Sequence, residues 1–119
     1  MYNYFMFIGR LVKKPEIVNF DDGRRVVNVS IAMNRPFKNI KGEFETDFFT
    51  VPFWDFLVDF VVENVKVGEY IGIKGRIQTT PNKLENGYVL STPSLVGEKL
   101  MFFPQPGQFS QTEKNEDSQ

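Results

Sequence analysis

The segment DFFTVPFW, from Asp47 to Trp54, places four large aromatic side chains within eight residues. Alternate side chains of a β-strand point to opposite faces of its sheet, so the segment predicts two different faces. One face is apolar and suits a protein core; it consists of Phe49, Val51 and Phe53. The other face is too polar for a second core, yet it carries the rings of Phe48 and Trp54. Because a soluble domain seldom exposes large rings without a use for them, we expect both rings to be functional.

The composition excludes several classes of protein. The chain has 119 residues, which suits one domain with one core. It contains no cysteine and no histidine, so it lacks disulfides, thiolate metal sites and the commonest general base. It has no apolar run long enough to span a membrane, and its start, MYNYFMFIG, lacks the basic residues and cleavage site of a signal peptide. We therefore expect a cytoplasmic protein without a cofactor or a membrane contact.

Alternating apolar residues predict four strands besides Asp47–Trp54. These strands are Tyr4–Leu11, Arg25–Met33, Tyr70–Thr79 and Tyr88–Phe103. Ile71, Ile73 and Ile77 are expected to point inward from the third of them. Turn signals separate the strands: Asp21–Gly23, a hairpin tip at Asn39–Glu43 and a loop at Pro81–Gly87. Pro93 restricts the last strand to an edge or a bulge.

The segment Trp54–Lys66 changes to a helical period. Its apolar stripe consists of Leu57, Phe60, Val61 and Val65. Gly68 is expected to end this helix as a left-handed cap. Five short strands with one helix between the third and fourth predict an all-β fold, a five-stranded OB-fold barrel. Such barrels bind oligonucleotides or oligosaccharides on one face and with two protruding loops.

The composition shifts after Phe103. Residues 104–119, PQPGQFSQTEKNEDSQ, contain one aromatic residue and no aliphatic residue, so we expect a disordered polar tail after a domain at residues 1–103. The whole chain has a net charge of −1. The tail contributes −2, which leaves +1 for residues 1–103. The domain is therefore only weakly basic, whereas a nucleic-acid binder is expected to be basic.

Three stretches of the chain, taken in order, resemble the bacterial-type single-stranded DNA-binding proteins. They are FIGRLVKKPEI (Phe7–Ile17), VVNVSIAMNRPFKNIKGEFETDFFTVPFW (Val26–Trp54) and KVGEYIGIKGRIQT (Lys66–Thr79). The resemblance covers residues 3–103. It implies an OB barrel, usually a homotetramer, that protects single-stranded DNA during replication, recombination or repair. It also implies aromatic residues that stack on bases without sequence preference, and a cytoplasmic, nucleoid-associated location, or the host cytoplasm for a viral protein.

The resemblance also implies binding residues. Phe37 matches an aromatic at the base of the long hairpin, and Phe48 and Trp54 match two stacking positions. Asn82 stands where an aromatic is common, so Tyr88 is a candidate substitute. The other candidates for nucleic-acid binding are polar or basic: Arg10, Arg35, Lys38, Arg76, Gln78 and Lys83. The tail ends in NEDSQ rather than an acidic tip closed by Pro-Phe, which puts docking of replication or recombination proteins in doubt.

Other functions stay open at this point. A single-stranded RNA binder would use the same rings, and a protein-interaction barrel would expose them too. An enzyme would need acidic pairs such as Asp21-Asp22 or Asp55 with Asp59, but these are a turn and a like-charged helix face, so we predict no catalysis. The N-terminal strand has a second apolar side with Tyr2, Tyr4 and Met6, which predicts a symmetric homo-oligomer, a tetramer by resemblance.

Overall fold

A computed structural model describes residues 1–104 of the chain. Its strands are β1 (Phe5–Leu11), β2 (Glu16–Asn19), β3 (Arg25–Lys38), β4 (Phe44–Trp54), β5 (Tyr70–Lys83) and β6 (Val89–Phe102). A 3₁₀ turn (Asp55–Leu57) and one α-helix, α1 (Val58–Asn64), connect β4 to β5. All strand pairs are antiparallel, in the order β2-β3-β1-β5-β6. β1 and β2 pair with one edge of β3, and β4 pairs with the opposite edge. Within these residues no helix is long and apolar enough to cross a membrane.

The predicted all-β fold with one helix after the DFFTVPFW strand is confirmed. The number of strands differs, because β2 forms a short extra strand that pairs with the start of β3 through Glu16–Asn28 and Asn19–Arg25. All four residues of β2 are exposed. A strand without a buried side produces no alternation of apolar and polar residues, which explains why the pattern did not predict it. The expected tail falls on residues that, apart from Pro104, lie outside the described part of the chain.

The core is formed by the alternate residues that the pattern placed inward. Val27, Val29 and Ile31 of β3 are fully buried, and Val51 and Phe53 of β4 face them in register. Leu11 of β1 and Ile71 and Ile73 of β5 complete the same cluster. The ring of Phe53 also lies against β6, because a Cβ built on Gly97 would come within 2.5 Å of it. A residue without a side chain at position 97 therefore lets β4 and β6 close together over the core.

The segment predicted as a loop at Pro81–Gly87 is a longer hairpin instead. β5 continues to Lys83, and Leu84 and Tyr88 close the tip through a backbone hydrogen bond of 2.8 Å. Polar pairs link the two strands beyond the barrel: Thr80 with Ser94 at 2.7 Å, and Asn82 donating to Thr92 at 3.1 Å.

These cross-strand pairs stabilise the outer part of the hairpin. Residues 80–83 of β5 show no apolar alternation there, so the pattern did not predict that the strand continues. The expectation that Ile77 points into the core is wrong. Ile77 is 40% exposed, because it lies where the hairpin extends beyond the barrel. Pro93 lies in β6, at the edge of the sheet, as expected.

The helix is shorter than predicted, and its predicted buried side is only partly correct. Val61, and Val65 just beyond the end of the helix, are buried as expected, and Val58 is buried with them. Phe60 is instead 47% exposed and contacts Phe102 edge-on at 6.1 Å. The predicted helix cap at Gly68 is also wrong. Gly68 does adopt a left-handed conformation (φ 91°), but it lies in the turn before β5, and its N–H donates to the carbonyl of Leu11 at 2.8 Å.

Candidate nucleic-acid interface

One row of side chains crosses four strands on the outer face of the barrel. Phe48 of β4 pairs with Ala32 of β3, Ala32 with Arg10 of β1, and Arg10 with Tyr70 of β5. Directly opposed residues of antiparallel strands share one face, so Phe48 and Arg10 lie on the same surface with a small residue between them. Phe48 is 71% exposed. A cleft of about 300 Å³, here called the Phe48 cleft, is lined by Ile8, Arg10, Asn34, Thr46, Phe48 and Tyr70.

A second cleft lies at the other end of β4. It has a volume of about 520 Å³ and is called the Trp54 cleft; its side chains include Arg24, Trp54, Phe56, Arg76, Gln78 and Glu98. The structure therefore brings together three of the predicted binding residues, Trp54, Arg76 and Gln78. Phe48 and Trp54 lie on one face of β4, six residues apart, which corresponds to roughly 20 Å at the usual rise per residue. A ligand that contacts both rings must therefore be extended.

Trp54 is less open than the alternation predicted. The ring of Phe20 stacks beside it with centroids 5.8 Å apart and planes at 21°, and the guanidinium carbon of Arg24 lies 4.3 Å from the indole centroid. Val26, its partner on β3, is only 5% exposed although it lies on the outer face. Part of the indole surface is thus already occupied by groups from the β2–β3 turn, which the sequence pattern did not connect to Trp54.

Two of the candidate phosphate-binding arginines already contact carboxylates. Arg35 donates to both carboxylate oxygens of Asp47, at 2.9 and 3.0 Å, and also to Glu45. The hydrogen bond from Arg35 holds the pKa of Asp47 below its ordinary value. Arg76 donates to Glu98 at 3.1 Å and to Gln78 at 3.4 Å. Phosphate contact by either arginine would require it to exchange a carboxylate partner.

Arg10 differs from these two arginines. Within residues 1–104 its side chain has no carboxylate partner and no hydrogen bond, although it lines the Phe48 cleft. A guanidinium without a protein partner gives up only hydration when it pairs with a phosphate, since no existing ion pair must break. Arg10 is therefore the best placed of the candidate arginines for contact with an anionic backbone.

Comparison with known proteins identifies the family. Residues 2–103 match the single-strand binding protein family. The chain belongs to this family. It is 33% identical over 118 residues to a single-stranded DNA-binding protein of Halalkalibacterium halodurans, covering 99% of this chain and 70% of that protein. It is 32% identical over 107 residues to single-stranded DNA-binding protein B of Bacillus subtilis, covering 89% of this chain and 95% of that protein.

Membership of the single-strand binding protein family, whose fold is the OB barrel, confirms the predicted fold class. The structure differs from the five predicted strands in the short extra strand β2 and in the extension of β5 to Lys83. The candidate residues that lie away from the two clefts are on the two hairpins.

The hairpin candidates of this family member lie beyond the barrel. Phe37 is 82% exposed near the end of β3, and Lys38 lies 5.6 Å from the ring of Phe44 on the paired strand. Lys83 and Tyr88 flank the tip of the β5–β6 hairpin, where Tyr88 is 71% exposed. None of these four residues lines the Phe48 or the Trp54 cleft. Their role in binding nucleic acid stays a prediction, and it concerns the β3–β4 and β5–β6 hairpins.

Phe56 is an aromatic residue that sequence reasoning missed. It lines the Trp54 cleft and is 87% exposed. The sequence placed it inside a predicted helix, on no apolar stripe, so it had no assigned role. Its exposure depends on a backbone turn at Asp55, which a periodicity of apolar residues does not reveal.

Proposed function

We propose that this protein binds single-stranded DNA without sequence preference and without catalysis. The observation that carries the proposal is the outer row on β4, β3 and β1, where the exposed ring of Phe48 lies on the same surface as the guanidinium of Arg10, which has no ionic partner within residues 1–104. Membership of the single-strand binding protein family supports it, as do relatives that are named single-stranded DNA-binding proteins. Protection of exposed strands in replication, recombination or repair is the corresponding cellular role.

The mechanism follows from the chemistry of the two clefts. Aromatic rings stack on bases, and every base has a π-face, so stacking tolerates any sequence. Arg10 contacts phosphates beside Phe48, while Arg76 and Gln78 lie beside Trp54 and contribute to the second cleft. Duplex DNA hides its base faces within the helix, so the site selects unpaired strands. Because the two clefts lie roughly 20 Å apart along β4, a single extended strand contacts both.

Titration with oligo-dT tests the proposed function. Trp54 is the only tryptophan of the chain and lines one cleft, so saturable binding is expected to quench its emission. A duplex of the same length is the control and is expected to cause little change. Matched oligo-rU separates DNA from RNA preference, since only RNA carries the 2′-hydroxyl. Absence of binding to any single-stranded oligomer would instead favour a protein-interaction barrel.

A homo-oligomer is the second part of the proposal, and the N-terminal strand supports it. Only Arg10 and Leu11 of β1 pair with β3, so in the described residues the edge at Phe5–Ile8 has no strand partner on that side. Exposed apolar side chains lie along the same stretch; they are Tyr2, Tyr4, Met6 and Ile8. An open edge with apolar side chains favours pairing with a second copy of the chain.

We expect light scattering to show an oligomer, a tetramer by family resemblance, and Met6→Glu to lower the mass. The reason is that a carboxylate on the apolar face would be buried without a partner when two copies meet. Ile40→Glu, at the fully exposed tip of the β3–β4 hairpin, is the matched control and should leave the mass unchanged. A monomeric wild-type protein at micromolar concentration would contradict this prediction.

A further inference from the structure

We propose that Phe56 is a base-stacking residue of the Trp54 cleft and that Asp55 is the residue that positions it. The proposal rests on the proposed function, since it assigns a further contact with single-stranded DNA. Three observations lead to it: the exposure of the Phe56 ring, the backbone conformation of Asp55, and the limited free surface of Trp54. Each one concerns the short segment between the end of β4 and the start of α1.

The ring of Phe56 contributes nothing to the core. It is 87% exposed, while its neighbours Leu57 and Val58 contact or join the buried cluster. Among the described residues it makes no contact with another aromatic ring. A phenylalanine ring that stays in water does not obtain the favourable free energy that its burial would supply. A binding partner that covers the ring would therefore be stabilised by the burial of its apolar surface.

Asp55 directs Phe56 outward at a cost. Its φ is +52°, and it is the one residue other than glycine with a left-handed backbone in residues 1–104. Trp54 before it is extended, with φ −109° and ψ 147°, so the chain turns sharply at Asp55. A carboxylate oxygen of Asp55 accepts the backbone N–H of Arg25 on β3 at 3.1 Å, which fixes the turn to the sheet. Strained positions that the fold maintains in this way cluster at ligand sites.

The lining of the cleft fits a nucleotide better than it fits an apolar partner. Arg24, Arg76 and Gln78 border it together with the carboxylates of Asp55 and Glu98, so charged and polar groups line the cleft beside the ring of Phe56. The carboxylate of Asp55 lies 3.9 Å from Arg24, and that of Glu98 lies 3.1 Å from Arg76. A volume of about 520 Å³ lies within the range of roughly 300–1,000 Å³ that is typical of small-ligand sites. Trp54 already contacts Phe20 and Arg24, whereas within residues 1–104 the Phe56 ring has no aromatic neighbour. A base that enters this cleft would thus find its freest stacking surface on Phe56.

The test measures the anisotropy of dye-labelled oligo-dT with wild-type protein, Phe56→Ala and Phe56→Leu. We expect Phe56→Ala to weaken binding roughly 5- to 150-fold, the equivalent of one lost base stack. Phe56→Leu keeps an apolar side chain but lacks a π-face, so it should bind nearly as weakly as Phe56→Ala. Neither substitution removes a charge, so the dependence of affinity on salt should be unchanged.

Two further variants test the role of Asp55. Asp55→Ala should weaken binding, because alanine disfavours the left-handed backbone, and Asp55→Asn should retain it, because asparagine accepts that backbone and keeps an oxygen acceptor. Asp55→Ala should cause no further loss when Phe56 is already alanine. A general structural role for Asp55 would produce an additional loss there.

The outcomes separate the two proposals. Wild-type protein that fails to bind any single-stranded oligomer would overturn the proposed function. Wild-type protein that binds, with Phe56→Ala binding equally well, would overturn only the role of Phe56. Full binding by Phe56→Leu would overturn it too, because an apolar side chain without a π-face would then be sufficient. A lower mass for Phe56→Ala with unchanged affinity per chain would also overturn it, since that result assigns the ring to contact between copies of the chain.

Discussion

Phe53→Ala is expected to lower the free energy of unfolding by about 3–5 kcal/mol, the usual cost of deleting a buried aromatic ring. Phe53 is 1% exposed and contacts both halves of the barrel. It pairs with Val27 on β3, and its ring fills the space that the missing side chain of Gly97 leaves on β6. Because Gly97 has no side chain to move inward, the cavity left by alanine cannot collapse easily, which places the cost at the upper part of the range.

Urea unfolding at one fixed protein concentration measures this change, since self-association makes apparent stability depend on concentration. Phe56→Ala is the matched control. It removes the same ring three residues along the chain from an exposed position, so its effect is expected to stay within about 0.5 kcal/mol. Equal losses for the two variants would contradict the assignment of Phe53 to the core and of Phe56 to the surface.

Phe48→Ala is expected to weaken binding of oligo-dT by about 1–3 kcal/mol, or roughly 5- to 150-fold. Phe48 is 71% exposed and lies in its cleft beside Arg10, so truncation removes a stacking surface and leaves the core intact. Anisotropy of labelled oligo-dT at several salt concentrations is the measurement. The slope of log affinity against log salt concentration should match that of the wild-type protein, because no phosphate contact is lost.

Arg10→Ala supplies the comparison for Phe48→Ala. It removes a cation from the same cleft, so it should reduce the magnitude of the salt slope by about 0.7, the value for one phosphate contact on a single strand. If Phe48→Ala binds oligo-dT with wild-type affinity, the ring of Phe48 does not belong to the binding surface. An unchanged slope for Arg10→Ala would show that its guanidinium contacts no phosphate.

The sequence predicted the parts of the fold in which burial alternates along the chain. Val27, Val29 and Ile31 repeat every second residue because one face of β3 is buried, and the same holds for Val51 and Phe53 of β4. A strand without a buried face shows no alternation of apolar and polar residues, so the pattern cannot predict it. β2 and the end of β5 at residues 80–83 are held by backbone pairing and by polar pairs such as Thr80 with Ser94, so the pattern did not predict them.

The candidate site was predicted where it depends on a single strand. Placing Phe48 and Trp54 on one face required only the period of β4. What each candidate side chain contacts depends on residues distant in the chain, such as Arg24 beside Trp54 and Asp47 beside Arg35. The role that we propose for Phe56 depends on one backbone angle at Asp55. Contacts of this kind follow from tertiary packing, which no local pattern of residue types encodes.

The pairing of β1 with β5 has a consequence for how the chain folds during its synthesis. Phe5 pairs with Gly75, and Arg10 pairs with Tyr70. The ribosome must therefore add roughly sixty further residues after β1 before β5, its main partner strand, has been synthesised. At about 5–20 residues per second this delay lasts about 3–12 s. Contacts so distant in sequence also slow folding after release, because the intervening chain must lose its freedom first. During this interval the aromatic N-terminus is exposed on the nascent chain, and the pairs that can form early are β2 with β3 and β3 with β4, whose strands are neighbours in sequence.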